Sequence, residues 1–149
     1  MHITSDKPTV LVLEDNADQW FMIQWAFHQR FSEVEPIWMA EPTQAMYYLE
    51  ACLQDGESIP KLILLDIYLP HYEVGLKTLQ WLKRHPLVRE IPVVILSQSS
   101  HLADIKEAYQ QGCNCYITKP TNYEHWLDYL TQLRQYWWTI ATLPAPVQV

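Results

Sequence analysis

Short apolar, β-branched runs alternate along the chain with longer segments whose apolar positions recur every three or four residues. The first run, TVLVLED at positions 9 to 15, predicts a strand that ends abruptly in two acids. Asn16 then stands where a helix cap is expected, and Trp20, Ile23, Phe27 and Phe31 follow at helical spacing, with the helix stopping near Ser32. EPIWMA predicts a second strand, and Glu41-Pro42-Thr43 opens a second helix through Ala45, Tyr48, Leu49 and Cys52 that closes at Asp55-Gly56. KLILLD predicts a third strand, again ending in acid. After the loop IYLPHYEV, Gly75 precedes a third helix with Leu76, Leu79 and Leu82, halted at His85-Pro86. IPVVILS predicts a fourth strand whose last residue is Ser97. A fourth helix with Ile105, Ala108 and Tyr109 stops at Gly112, CNCYITK predicts the fifth strand, and a last helix runs from about Thr121 to about Thr142.

Five strands thus alternate with five helices. Strands that are apolar throughout belong in a parallel sheet covered on both faces, so the expected fold class is α/β, a doubly wound five-stranded sandwich. A length of 149 residues suits one domain with a single substantial core. We therefore expect a single domain over residues 1–149, with an extended last helix and a short Pro-rich tail, LPAPVQV.

Composition narrows the function classes. Net charge is -7 with no cluster of Lys and Arg, which argues against nucleic-acid binding. No apolar stretch is long enough to span a bilayer, and the N-terminal MHITSDKPTV is unlike a secretory leader. With Cys52, Cys113 and Cys115 making an odd, unpatterned set, a reduced, cytoplasmic protein is expected. Cys113 and Cys115 are better explained by packing than by metal binding, and His71 in the loop by solvation.

In an open parallel sheet, ligands bind beyond the carboxyl ends of the strands. Those ends carry Glu14 and Asp15, then Asp66, Ser97 and Lys119. The set suits phosphoryl transfer to a carboxylate, in which positioning and charge neutralisation supply most of the catalysis. Asp66 would be the nucleophile. Three clustered carboxylates repel one another unless a cation intervenes, so Glu14, Asp15 and Asp66 are expected to hold Mg²⁺ or Mn²⁺, with the backbone carbonyl of Tyr68 completing the shell. Lys119 and Ser97 would meet phosphoryl oxygens with an ammonium and a hydroxyl.

In that order, LEDN, LLDIYLP, a strand-end Ser and YITKP resemble the receiver domain of two-component response regulators over essentially the whole chain. The resemblance implies the flavodoxin-like (βα)5 fold with strand order 2-1-3-4-5, and a stand-alone phosphoacceptor rather than an enzyme, turning over only its own aspartyl phosphate. It also implies that Tyr116, three residues before Lys119, swings inward as Ser97 moves toward the phosphoryl group, and that the Lys119-Pro120 peptide is cis. CNCYITKP and the ending WWTIATLPAP further resemble small single-domain regulators of cyanobacterial phytochromes. The implied donor is the phosphohistidine of a light-regulated histidine kinase, and the implied assembly is a homodimer with an unspecified downstream protein partner.

Departures from the family pattern sit around Asp66. Gln98 follows Ser97 where a small residue is usual, Tyr68 is bulky at a position that tunes dephosphorylation, and PHYEVG is one residue longer than the common loop. In the last helix, Tyr123, Trp126, Leu127, Leu130, Leu133 and Trp137 already make one core face. Tyr129, Tyr136 and Trp138 are then surplus, and predict a dimer surface built by the fourth and fifth helices and the fifth strand. Three other readings compete. A haloacid-dehalogenase-like phosphatase needs a second carboxylate where Tyr68 stands, a flavin-binding protein would meet repulsion from Glu14-Asp15, and a phosphorylation-independent scaffold or dimerisation adaptor would leave Asp66 unmodified.

Overall fold

The computed structural model describes residues 7–56 and 59–140. Five strands, β1 (Thr9–Leu13), β2 (Glu35–Met39), β3 (Leu62–Asp66), β4 (Val93–Ser97) and β5 (Cys115–Thr118), form one parallel sheet in the order β2-β1-β3-β4-β5. The helices are α1 (Ala17–Arg30), α2 (Pro42–Asp55), α3 (Tyr72–Arg84), α4 (Leu102–Gln110) and α5 (Tyr123–Arg134), with a 3₁₀ turn at Val88–Glu90. The α/β class and strand order are as expected. The tail LPAPVQV and the end of the last helix at Thr142 lie outside the described residues.

Strand pleating splits the core into two layers. Leu11, Leu13, Ile63, Leu65, Val93 and Ile95 pack with residues of α2, α3 and α4, while Val10, Val12, Leu62, Leu64, Val94 and Leu96 pack with α1 and α5. The three central strands are buried on both sides, which is why they carry no polar alternation. With the faces sealed, polar groups that follow the strands are left to the carboxyl edge of the sheet.

Local chemistry sets the helix ends. Asn16 and Asn122 accept the N–H groups of Gln19 and His125 at 3.0 and 2.9 Å and so start α1 and α5. Gly56, at φ 64°, ends α2.

Two expectations are corrected here. Helix α3 begins at Tyr72 rather than after Gly75, because the N–H of Gly75 already bonds the carbonyl of His71 at 3.1 Å. Gly75 is present for space: a Cβ there would lie 1.7 Å from the Ile67 carbonyl oxygen. The cis peptide among the described residues is Leu69–Pro70, not Lys119–Pro120. Both are X-Pro bonds, the type for which cis is inexpensive, and nothing local in the sequence chooses between them.

The last helix also departs from its periodic reading. After Arg134 it continues as a π-helical stretch, Gln135–Ile140, whose wider turn shifts the phase of the side chains that follow. Trp138 therefore turns inward, against Phe31 at 5.5 Å between ring centroids, instead of outward. Tyr129 also packs against the core, edge-on to Trp126, with its hydroxyl buried. The helix covers the sheet margin with a stripe broader than a narrow heptad seam. Tyr123, expected in the core, is instead 60% exposed, and of the three surplus aromatics only Tyr136 remains on the surface.

Candidate functional site

Four of the five strands place site residues at the carboxyl edge, and β2 places none. Glu14 and Asp15 follow β1 directly, Asp66 and Ser97 are the last residues of β3 and β4, and Lys119 follows β5. Parallel pairing aligns these ends, with Asp66 level with Leu96 and Ser97 level with Thr118. Residues separated by up to 105 positions in sequence thereby meet in one pocket of about 160 Å³, lined by Glu14, Asp15, Asn16, Gln19, Asp66, Tyr68, Gln98 and Lys119.

At its centre, the Lys119 ammonium donates to Glu14 Oε2 and to Asp66 Oδ2, both at 3.0 Å. All three residues are buried, whereas Asp15 is exposed at the rim. Carboxylate oxygens of Glu14, Asp15 and Asp66 lie within 4.8 Å of one another. The Tyr68 N–H donates to Asp66 Oδ1 at 3.0 Å, so the loop after β3 orients the carboxylate. Asn16 N–H does the same for Glu14 Oε1 at 3.1 Å.

Burial dominates the electrostatics. It pushes the Glu14 carboxyl up to about 7, opposed by Lys119 and reinforced by the neighbouring charge of Asp66. Asp66 is likewise raised by burial, and Lys119 and the Tyr68 N–H hold that rise back. Two buried carboxyl groups sharing one ammonium carry excess negative charge and only oxygen donors. That donor set suits a hard divalent cation.

Ser97 is fully buried, and its Oγ accepts the Ser99 N–H at 3.0 Å. The Tyr116 hydroxyl reaches the same segment, donating to the Ser99 carbonyl at 2.8 Å. Tyr68 turns its ring toward α4, where its hydroxyl lies 3.4 Å from Asp104, an acid also bonded by Ser99 Oγ at 2.6 Å. Gln98 is exposed at the pocket rim, and His71 is exposed at the start of α3, away from the lining.

Two participants escaped the sequence reading. Gln19 Oε1 accepts a hydrogen bond from Lys119 at 2.6 Å, and the indole N–H of Trp38 donates to the Glu14 carbonyl at 2.6 Å while its ring stacks on Trp20. An amide in the first turn of a helix carries no periodic or motif signal. Only the fact that α1 starts beside the end of β1 could have pointed to it.

The family model of the response regulator receiver domain matches residues 10–131. The chain belongs to that family. Among individual relatives, this receiver is 32% identical over 146 residues to response regulator Rcp1 of Synechocystis, covering 95% of this chain and 97% of Rcp1. It is 31% identical over 141 residues to FilR2 of Methanothrix harundinacea, described as a probable methanogenesis regulatory protein, covering 95% and 90% of the two chains. The crystal structure of the phosphorylated cyanobacterial phytochrome response regulator RcpA superposes with a TM-score of 0.82 at 33% identity, over 93% of this receiver and 99% of that chain. A second solved structure is the Mn²⁺-bound form of Rcp1, with which the acidic cluster of this receiver is chemically consistent.

The receiver is therefore part of a response regulator, a signalling protein that works with a histidine kinase. Among its described residues, no helix is long and apolar enough to cross a membrane.

Proposed function

We propose that the receiver accepts a phosphoryl group on Asp66 from the phosphohistidine of a phytochrome-type sensor kinase and signals by protein contact. The observation that carries the reading is the buried Lys119 ammonium shared by Glu14 and Asp66 inside an acidic pocket. A carboxylate oxygen of Asp66 bonds to phosphorus as the donor's N–P bond breaks. The departing imidazole nitrogen keeps that electron pair and takes a proton from solvent. Lys119 neutralises charge on the phosphoryl oxygens, and the Tyr68 N–H keeps Asp66 oriented.

Glu14, Asp15, Asp66 and the Tyr68 carbonyl would hold Mg²⁺ or Mn²⁺, which when bound offsets negative charge between carboxylate and phosphoryl group. Ser97, whose Oγ accepts the Ser99 N–H, would donate its O–H to a phosphoryl oxygen, and Tyr116, already bonded to the Ser99 carbonyl, would report that movement. Likeness to Rcp1 and RcpA supports the phytochrome-type donor. The downstream reader is a protein, reached by a receiver dimerising through α4, β5 and α5. Leu102 and Tyr109 of α4, Tyr123 of α5 and Tyr136 just beyond it are exposed apolar anchors, whereas Tyr129 and Trp138 pack against the core.

The test is incubation with acetyl phosphate and Mg²⁺ followed by intact-mass measurement. One phosphoryl adduct is expected, absent in Asp66→Asn and without Mg²⁺. Failure to label wild-type protein would turn the reading toward a phosphorylation-independent scaffold. Transfer from a phytochrome-type kinase, compared with an unrelated histidine kinase, tests the donor.

A further inference from the structure

An ammonium has three N–H donors, and all three of Lys119 are engaged: by Glu14 and Asp66 at 3.0 Å each and by Gln19 at 2.6 Å. The first two partners stand at the ends of β1 and β3. The third comes from α1, which is placed at the end of β1 by its Asn16 cap, and Gln19 also lines the pocket wall. Without Gln19, the ammonium has only carboxylate partners and would settle between the two acids. With it, the charge is also held from α1, by a third residue of the pocket lining. Gln19 is also the one neutral acceptor of the three, so its contact is the least costly for Lys119 to give up to a phosphoryl oxygen.

We propose that Gln19 is a positioning residue for phosphoryl transfer, holding the Lys119 ammonium on the pocket side of the Glu14–Asp66 pair, where it meets the incoming phosphoryl group. The proposal rests on Asp66 being the phosphoacceptor. It adds no chemical step, because Gln19 touches the lysine and not the reacting atoms. Its effect is to prepay the placement of a charge that must be in position when the O–P bond forms.

Gln19→Met keeps the length and most of the packing while removing the acceptor, and Gln19→Glu restores an acceptor oxygen at the same reach. In protein labelled with ¹⁵N-lysine and without phosphodonor, the Lys119 Nζ resonance should be resolved in wild type, lost to fast hydrogen exchange in Gln19→Met and recovered in Gln19→Glu. With saturating acetyl phosphate and Mg²⁺, Gln19→Met should label roughly tenfold more slowly, with an unchanged half-saturating donor concentration. Combined with Lys119→Ala, it should add nothing to the lysine variant's defect. A Gln19→Met signal equal to wild type, or additive defects in the double variant, would overturn the proposal. Because the lysine signal is read without phosphodonor, it tests Gln19 even if Asp66 fails to label.

Discussion

Gly75→Ala sets two effects of opposite sign against each other. Helix propensity alone predicts a gain of about 1 kcal/mol, since Gly75 lies inside α3. Packing predicts a loss. The new methyl carbon would sit 2.4 Å from the Ile67 carbonyl carbon and 1.7 Å from its oxygen, the latter half the 3.4 Å at which ordinary contact begins. The obstruction is backbone, so no rotamer change relieves it, and α3 must lift away from the loop that follows β3. Overpacking a core by an extra methylene typically costs about 1–3 kcal/mol, and a clash this deep against a fixed carbonyl belongs at or beyond the upper end. The net expectation is a destabilisation of about 2 kcal/mol, read as a lower urea midpoint with an unchanged slope. The same loop carries the Tyr68 N–H that orients Asp66, so acetyl phosphate labelling should slow as well. A midpoint at or above that of wild type would refute the reasoning, because propensity would then outweigh the contact.

Other expectations follow from the site and the core. Mg²⁺ at ten times its dissociation constant should stabilise the protein by about 1.4 kcal/mol in thermal melts. Asp15→Asn, at the exposed rim, should abolish that gain while changing metal-free stability by less than about 0.5 kcal/mol. Trp138→Ala should cost about 2 kcal/mol or more through its lost contact with Phe31, whereas Tyr136→Ala should stay within about 0.5 kcal/mol; equal effects would contradict the inward turn of Trp138. Burial pushes the Cys113 thiol up to about 11, so it should resist iodoacetamide at pH 8 until urea is added. The folded chain holds this proton more tightly than the unfolded one. Cys113 therefore costs no stability below pH 9 and a growing amount as pH rises from about 9 toward 11, where only the unfolded thiol readily ionises.

The local pattern of the chain determined a great deal. Short runs such as LILLD and VVILS, set between longer segments of helical period, read as strands buried on both faces, and that alternation points to a parallel sheet with helices on either side. Once the sheet is parallel, the residues ending its strands must share an edge, so Glu14, Asp15, Asp66, Ser97 and Lys119 were legible as a set before any coordinates. Tertiary structure decided matters that depend on the phase and approach of neighbouring elements. Gln19 and Trp38 enter the site because α1 and β2 lie beside the end of β1, which no residue pattern within either element encodes. Gly75 read as a helix boundary because glycine usually punctuates. Its actual role, yielding space to the Ile67 carbonyl, exists only once α3 has docked. Trp138 read as a surface residue because a 3.6-residue period was carried through a stretch that winds as a π-helix, and Tyr129 because the breadth of the sheet margin it covers is a property of the assembled fold. Periodicity records which face of an element is apolar; the depth and angle at which that face meets its neighbours are set by packing, and packing is settled among all the elements at once.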